Sequence, residues 1–515
     1  MKRFLLIFAL IACSIYGRAE WNTDLSKNVQ ITPTGLNYYE KDITTNIKGI
    51  TYILTVCPSS DCGLSYRLQI MDADGNKTLG RGGKVISAKP NRTWTTWNQY
   101  LQTDNDGNAF VGIQDYRIDD QNLNYTISKY SESGEQLWEG TTLNNSVGHS
   151  IEAGLSMTTT TDNGVVCAYC FTDTEESKDK VHVEKLDKDG KSVWKKEIFN
   201  TARNSNPYPF VLSAGEDKAF VMWVDNGNID ANIIDTQTGE MLLDKPKVVY
   251  SNGFASSKVM EVIDIKQGPD NGVFISVVDG NKQGRLVYVK KDLSLGLDEE
   301  TAGVKLDETA NYDYASTAPA VAYSADDNTL SCFYKSFDKE NKNRQAVYFQ
   351  KLNMDGTPVW ENGGKEYVPL QTDKQYSYFK VRDLGNGASA VFFLCYDNNT
   401  YGVDGMMTIF DKDGKAEEPK KFTTSDNNKV ELWVSEETGN KKFITAWDEK
   451  QSSKYTLYMQ GVDAGTTSGI GSVEKNAADG KAEIFYSIDG VQRIKQEKGV
   501  NIIRCKDGKT IKVAK

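Results

Sequence analysis

Seven aspartates recur at similar places along the sequence, each at the end of a run of apolar and β-branched residues. They are Asp115, Asp173, Asp225, Asp279, Asp338, Asp397 and Asp448. Carboxylates can hold a cation, accept hydrogen bonds from the hydroxyls of a polar ligand, or act in pairs in glycoside cleavage. An aspartate after a strand also commonly starts a turn, because its side chain accepts backbone N–H bonds. The residues therefore have two interpretations, an acidic binding rim and a set of structural turns.

Aromatic residues lie in the segments between these runs. Those expected nearest to a ligand are Trp94, Trp97, Tyr208, Tyr312 and Tyr376. A ring beside Asp or Asn suits a carbohydrate, since the apolar face of a sugar stacks while its hydroxyls take hydrogen bonds. A protein partner would use the same residue types, and so would packing between neighbouring units. The ligand class therefore stays open between a glycan and a protein.

The elements that position these residues repeat along the chain. Segments such as "VHVEKLDKDGKSVW" combine an alternating strand, an acidic turn ending in glycine and a further strand; the turn glycines, 49 to 60 residues apart, are Gly75, Gly134, Gly190, Gly239, Gly296, Gly356, Gly414 and Gly465. Upstream, segments such as "VIDIKQGPDNGVFISVVD" carry the Asn-Gly or Asp-Gly signal of a hairpin. Four antiparallel strands per unit, repeated radially, form a β-propeller. We expect an all-β, eight-bladed propeller over residues 20–467, with seven blades as the alternative.

The acidic turns have a calcium interpretation and a structural one. An EF-hand loop has glycine at its sixth position and a bidentate glutamate at its twelfth, whereas "DKDG" places Gly190 fourth from Asp187. As a turn, the same segment needs Gly190 for a left-handed backbone, with Asp187 and Asp189 accepting backbone N–H bonds. We favour the structural turn, with no metal and no cofactor, and keep calcium as the alternative.

A tryptophan follows several of the turn glycines by four residues. Trp138, Trp194 and Trp360 hold this offset, and it resembles the tryptophan-docking motif of quinoprotein-like eight-bladed propellers. The resemblance implies that each ring packs on the next blade, but it brings no cofactor residues. Glu300 and Glu418 stand at the docking position of two units, so those blades must be held differently.

The two ends of the repeat region complement each other. The last unit lacks a tryptophan strand of its own, whereas "EWNTDLSKNVQ" near the amino terminus begins with Trp21. We expect the amino-terminal strand to complete the final blade, which would close the ring and remove exposed sheet edges.

The termini predict export. Residues 1–19 have the basic, apolar and small-residue regions of a signal peptide, and "LIAC" before Ser14 is an alternative lipobox that would make Cys13 a lipidated residue. No later apolar run is long enough for a transmembrane helix. The tail, residues 468–515, has short strands, "SIDG" and "KDGK" turns and a "KGVNII" segment, and resembles the sorting domain of type IX secretion cargo. That resemblance implies a place outside the outer membrane of a gram-negative bacterium, on the cell surface or in the medium.

The composition of the chain argues against several classes of partner and site. The 60 basic and 71 acidic residues give a net charge of −11, which disfavours nucleic acid as a partner. His149 and His182 are the only histidines, too few for a multi-histidine metal site, and a histidine-based triad has little support. Cys57 and Cys62 in "CPSSDC" are close enough for a disulfide, whereas Cys167, Cys170, Cys332 and Cys395 lie in predicted core strands.

The function that these features favour is an exported binding or scaffold module with a glycan or protein ligand. One alternative is an enzyme that cleaves extracellular polysaccharide with paired carboxylates in the funnel. Another is a structural subunit of an envelope assembly.

Overall fold

The computed structural model describes residues 21–33, 40–59, 63–87, 99–115, 124–143, 149–257, 259, 262–306, 312–314, 318–338, 340–341, 343–361, 363–451, 454–465, 482–487, 492–493, 500–505 and 510–514. Its strands form nine sheets, eight of which are the blades of a β-propeller. The eight-bladed prediction is therefore confirmed, and the seven-bladed alternative is wrong.

Each blade has four main antiparallel strands, numbered first to fourth in sheet order. In blades 1 to 4 these are Glu40–Thr45, Thr51–Ser59, Gly63–Met71 and Lys84–Ser87; Gln99–Thr103, Ala109–Asp115, Asn124–Tyr130 and Gln136–Thr142; His149–Thr159, Val165–Asp173, Lys178–Leu186 and Ser192–Ala202; and Pro209–Ser213, Lys218–Asp225, Asn228–Asp235 and Lys247–Tyr250.

Blades 5 to 8 continue the pattern. Their strands are Ile263–Gln267, Val273–Val278, Gly284–Val289 and Val304–Lys305; Ala320–Ser324, Thr329–Asp338, Gln345–Asn353 and Lys365–Gln371; Lys374–Gly385, Ala388–Asp397, Val403–Phe410 and Lys420–Lys421; and Lys429–Val434, Lys442–Gln451, Lys454–Asp463 and Val29–Gln30. Blade 6 has an additional short strand, Tyr312–Tyr314, that also pairs with its second strand.

The burial of the strands follows from their position in the blade. First strands contact first strands of neighbouring blades, so they surround the central channel. Second strands such as Val165–Asp173 are covered on both faces and are apolar almost throughout. Fourth strands such as Ser192–Ala202 alternate between exposed and half-buried residues, because one face meets solvent.

The ring closes with strands from both ends of the repeat region. Val29 pairs with Met459 and Gln30 with Tyr458, so the amino-terminal strand is the fourth strand of blade 8. The Trp21 side chain lies over the turn glycine of blade 1, where a Cβ on Gly75 would come 2.9 Å from the indole Cδ2. The predicted completion of the last blade is present.

The same contact recurs around the ring. A Cβ on Gly190 would lie 2.5 Å from Trp138, one on Gly239 would lie 2.8 Å from Trp194, and one on Gly414 would lie 2.7 Å from Trp360. Each ring therefore covers the glycine turn of the following blade. At blade 6 the covering group is different: the Leu297 carbonyl lies over Gly356.

In the acidic turns, the first aspartate accepts hydrogen bonds from the turn backbone. Asp187 Oδ1 accepts the backbone N–H groups of Asp189 and Lys191, both at 2.9 Å, and Gly190 has a φ of 80°. Asp189 differs from the prediction, because its carboxylate accepts from Lys188 Nζ at 2.9 Å rather than from the turn backbone.

Five cysteines have side chains that the structure describes, and each is a free thiol. Cys57 is therefore unpaired rather than joined to Cys62 as predicted, and its side chain packs in the core between blades 8 and 1 with Trp21 and Ile43. Cys62 and Cys13 lie outside the described residues. Cys167, Cys170 and Cys332 are buried and Cys395 is half-buried, as expected for strand residues of a core.

A second compact unit comprises Asn440–Lys442 and Asp463–Lys515. Its sheet has the order Gln492–Arg493, Ala482–Ser487, Val500–Cys505 and Thr510–Ala514, with antiparallel neighbours. The tail is thus a short β unit.

Candidate functional site in the central channel

Most of the predicted rim aspartates build turns. Asp173 Oδ1 accepts the N–H of Glu175 at 3.0 Å, Asp397 Oδ1 that of Asn399 at 2.8 Å, and Asp338 Oδ1 that of Glu340 at 2.9 Å. Asp279 Oδ1 accepts two backbone N–H groups, and its Oδ2 accepts from Arg285 Nε at 2.5 Å. These four carboxylates are occupied by hydrogen bonds within their own blades, and Asp279 also accepts from the Asn252 side chain after blade 4 at 2.6 Å.

The three remaining aspartates differ from this pattern. Asp225 Oδ1 accepts from the Asn226 side chain at 2.9 Å. Asp115 ends its strand, but its side chain is not among those described. Asp448 is not at a strand end, because the second strand of blade 8 continues to Gln451.

The predicted ligand-binding aromatics are not gathered at one place. Tyr376 is buried, and its ring lies 5.7 Å from that of Phe393 in the core between blades 6 and 7. Tyr208 packs against the core between blades 4 and 5. Trp94 and Trp97 lie outside the described residues, as does the side chain of Tyr312.

Two bulges re-aim side chains at the channel. The first strand of blade 7 shifts register between Ser377 and Lys380, and that of blade 8 between Val430 and Leu432. At each bulge one residue has a left-handed backbone with φ of 55°: Tyr378 and Glu431. Burial and the charge of Glu431, on the adjacent blade, raise the pKa of Tyr378, so the Glu431 carboxylate acts electrostatically on the Tyr378 hydroxyl.

Lys41, Glu431 and Asp448 form a group that we call the mouth triad. Lys41 Nζ lies 2.6 Å from Glu431 Oε2 and 2.8 Å from Asp448 Oδ2. The Lys41 and Asp448 side chains are buried, whereas the Glu431 side chain is 45% exposed. Burial raises the pKa of Asp448, and its Oδ1 has no hydrogen-bond partner among the described residues. Glu431 is thus the member of the triad that a ligand would meet.

Further along the channel, four charged residues form what we call the inner cluster. Asp264 and Lys266 lie on the first strand of blade 5, and Lys380 and Arg382 on that of blade 7. The charges act on one another although the two blades are not adjacent: burial opposes ionisation of Asp264, but Lys266, Lys380 and Arg382 lower the pKa of that carboxyl. A cavity of about 430 Å³ opens beside Arg382, between blades 8 and 1.

The sequence carried a weak signal for the inner cluster. "IDIKQ" and "FKVRD" alternate charged and apolar residues in segments that precede a hairpin turn. In a propeller those segments are innermost, so their charged side chains must meet the channel. The sequence marks Tyr378 as one of the aromatic residues between blades. Nothing in it marks the bulge at Tyr378 or at Glu431, because a bulge depends on how two strands pair.

Within the described ranges, no three His, Cys, Asp or Glu side chains are grouped so that they could hold a metal ion. No helix in this part of the chain has the length and apolar character needed to cross a membrane.

No protein-family model matches the chain, and no curated protein sequence is similar to it. Structures similar in fold include the Dos1 propeller, which is 11% identical with a TM-score of 0.45 over 84% of this chain and 95% of that chain. A PL25 ulvan lyase bound to -[GlcA(1-4)Rha3S]- is 12% identical with a TM-score of 0.40 over 76% of this chain and 98% of that one.

The propeller domain of the Trilobed protease from Pyrococcus furiosus is also similar. It is 9% identical, with a TM-score of 0.36 over 76% of this chain and 99% of that domain. At such identities and TM-scores, these likenesses carry no argument about ligand, activity or partner. The class of protein, a β-propeller, comes from the eight sheets themselves.

Proposed function

We propose that this protein is an exported binding module that takes a glycan at the mouth of its central channel. The observation that carries the proposal is the pair of bulges in adjacent first strands, one holding Tyr378 and the other holding Glu431 of the mouth triad. Tyr378 is 43% exposed and the Glu431 side chain is 45% exposed. A partly exposed aromatic ring and a solvent-accessible carboxylate are groups that commonly hold a sugar.

The backbone at these two positions supports a functional role. A non-glycine residue with positive φ costs of order 1 kcal/mol or more, and such residues concentrate at binding sites. Bulges have the same distribution, because they re-aim a side chain. Two bulges in adjacent first strands, each with one left-handed residue, are explained by a shared ligand.

The proposal is tested with a glycan array followed by calorimetry on the best binder. We expect Tyr378→Ala to weaken binding about 10-fold, since a stacked ring contributes on the order of 1 kcal/mol. The matched control is Tyr401→Ala, because Tyr401 is also left-handed and is 69% exposed, but lies in the loop after the second strand of blade 7. Binding that survives Tyr378→Ala as well as Tyr401→Ala would contradict this site.

A second function is favoured by one observation, the proximity of the two triad carboxylates. Both lie within 2.8 Å of one ammonium nitrogen, and a retaining glycosidase needs two carboxyl groups about 5 to 5.5 Å apart. The raised pKa of Asp448 suits a general acid. Shortened chains after incubation with polysaccharides, absent with Asp448→Asn, would establish this enzyme; intact chains would exclude it for the substrates used.

The location is proposed from the two ends of the sequence. Residues 1–19 support cleavage of a signal peptide, and residues 468–515 support sorting to the cell surface or medium. Amino-terminal sequencing of the mature protein tests the first: a start near Glu20 supports cleavage, and a lipidated Cys13 supports the lipobox. Removal of residues 468–515 tests the second, since the protein should then remain in the periplasm.

A structural role in an envelope assembly would give a different result. It predicts stable co-purifying proteins and no glycan binding at the channel mouth. Isolation from outer membranes, with the Tyr378→Ala variant in parallel, distinguishes it from the glycan-binding role.

A further inference from the structure

The inner cluster contains more positive than negative charge. Side chains alternate along a strand, so Asp264 and Lys266 share one face of their strand, as do Lys380 and Arg382 of theirs. The residues between them, Ile265 and Val381, pack into the cores between blades. Strand Ala320–Ser324 of the intervening blade 6 carries no charged residue.

The partners of each cation differ. Lys266 Nζ lies 3.1 Å from Asp264 Oδ2. Arg382 donates to the carbonyl oxygens of Val381 and Ser435 at 2.9 and 2.7 Å and to that of Val434. Among the described residues Arg382 has one ion pair, 3.4 Å to Glu436, whose side chain is 88% exposed, so the pair is strongly screened.

Lys380 is the exception in this cluster. It has no hydrogen bond and no ion pair with any described residue, although it is only partly exposed. Burial and the charges of Lys266 and Arg382 lower the pKa of Lys380 to about 8, although the Asp264 carboxylate opposes them. Charged groups that proteins bury are normally paired, because an unpaired buried charge is costly. A bound anion would supply the missing partner.

The geometry points to an anion site at Lys380, Lys266 and Arg382, where the channel holds a carboxylate or sulfate group of its ligand. This inference rests on the proposed glycan-binding function and makes it more specific: the ligand is an acidic glycan. The charge of the cluster is opposite to the net charge of −11 of the whole chain, so the channel attracts what the outer surface repels.

The test compares one sugar backbone with and without its charge. Calorimetry is done at pH 7 with oligogalacturonate, its methyl ester, a sulfated galactan oligosaccharide and inorganic sulfate. The variants are Lys380→Gln, Lys380→Arg, and Lys335→Gln as the matched control. Lys335 is also a half-buried lysine, with a pKa lowered by burial to about 8, but it donates to the Tyr376 carbonyl at 3.2 Å outside the cluster. Circular dichroism confirms that each variant is folded.

We expect oligogalacturonate or the sulfated oligosaccharide to bind, and the methyl ester to bind at least 10-fold more weakly. Lys380→Gln should lose at least 10-fold in affinity for the charged sugar, Lys380→Arg should retain most of it, and Lys335→Gln should match the wild type. The charged sugar that binds with the higher affinity shows whether the ligand group held by the cluster is a carboxylate or a sulfate. Added salt should weaken the binding of either charged sugar, because it screens the attraction between the sugar and the cluster.

Failure of the inference and failure of the proposed function give different results. Equal binding of the charged sugar and its methyl ester, unaffected by Lys380→Gln, overturns the anion site and leaves glycan binding intact. No sugar binding, with inorganic sulfate bound by the wild type and not by Lys380→Gln, supports the anion site and overturns the glycan. Absence of binding with all four probes overturns both.

Discussion

His182 shows how a single ionisable side chain responds to burial in a blade. It lies on the third strand of blade 3, with its ring 4.9 Å from Phe171 and 5.8 Å from Tyr169. Its Nδ1 is buried and has no hydrogen-bond partner among the described residues. Burial and the charge of Lys195 lower the pKa of His182 to about 4, although Glu197 opposes them. The folded protein therefore holds this imidazole neutral.

This lowered pKa predicts a loss of stability in mild acid. Between pH 6.5 and pH 4 the unfolded chain binds a proton at His182 and the folded chain does not, so the free energy of unfolding falls as pH falls through this range. We expect His182 to account for about 3 kcal/mol of that loss. Urea unfolding at several pH values should show it in the wild type and not in His182→Phe. Parallel pH profiles of the two proteins would contradict the assignment.

At the residue scale, the sequence predicted the turn residues better than the site residues. Asp173, Asp279 and Asp397 could be placed because their role is local: each bonds backbone groups two to four residues away. Glu431 and Tyr378 could not, because their orientation depends on register shifts between paired strands. A side chain directed by a bulge leaves no periodic signal.

At the element scale, contacts between side chains of one blade and the glycine turn of the next blade hold neighbouring blades together. Trp194 illustrates it: the indole lies over Gly239 of blade 4, and its Nε1 donates to the Thr236 carbonyl at 3.1 Å. The glycine is required, because it has a φ of 73° and a Cβ there would collide with the ring. The pattern of glycine and tryptophan thus reflects one interlocking contact.

Removal of this ring should loosen the contact between blades 3 and 4. We expect Trp194→Ala to lower the free energy of unfolding by about 3 kcal/mol, because it leaves a cavity and an unpaired carbonyl. Glu300→Ala is the control, since Glu300 has the docking offset in blade 5 without a ring. Chemical denaturation of both variants is the measurement. Equal stability of Trp194→Ala and the wild type would refute the role given to the ring.

Blade 5 shows what happens where the tryptophan is missing. The Leu297 carbonyl and the Val304 side chain lie over Gly356 of blade 6, and a cavity of about 980 Å³ lies between the two blades, lined by residues that include Glu300 and Trp360. The sequence indicated that this junction is different. It did not indicate the substitute, since a backbone carbonyl has no residue-type signal.

The propeller is a closed ring because its last blade uses strands from both ends of the repeat region. This feature was predictable, as was the number of blades, because the turn glycine recurs at a nearly constant interval and the final unit lacks one strand. Closure removes an exposed edge that would otherwise pair with other chains. What the repeat could not predict is the centre of the ring, where residues from blades 5, 7, 8 and 1 meet although they are far apart in sequence.

Loss of the closing strand should therefore affect the whole ring. The segment contributes the Val29–Met459 pairing, a 2.8 Å bond from the Asn28 side chain to Thr423 Oγ1, and a 2.6 Å bond from Gln460 Nε2 to the Asn22 carbonyl. Its removal also uncovers Gly75, because Trp21 leaves with it. We compare a chain that begins at Trp21 with one that begins at Ile31, by thermal unfolding and limited proteolysis.

We expect the shorter chain to unfold several degrees lower, since a loss of a few kcal/mol shifts the midpoint of a large domain by that order. It should also aggregate, because the third strand of blade 8, Lys454–Asp463, becomes an unpaired edge. Trypsin should cut blade 8 first, where the native contacts are lost. Identical melting and cleavage patterns for the two chains would mean that seven complete blades hold the ring without the closing strand, and that the amino-terminal pairing serves another purpose.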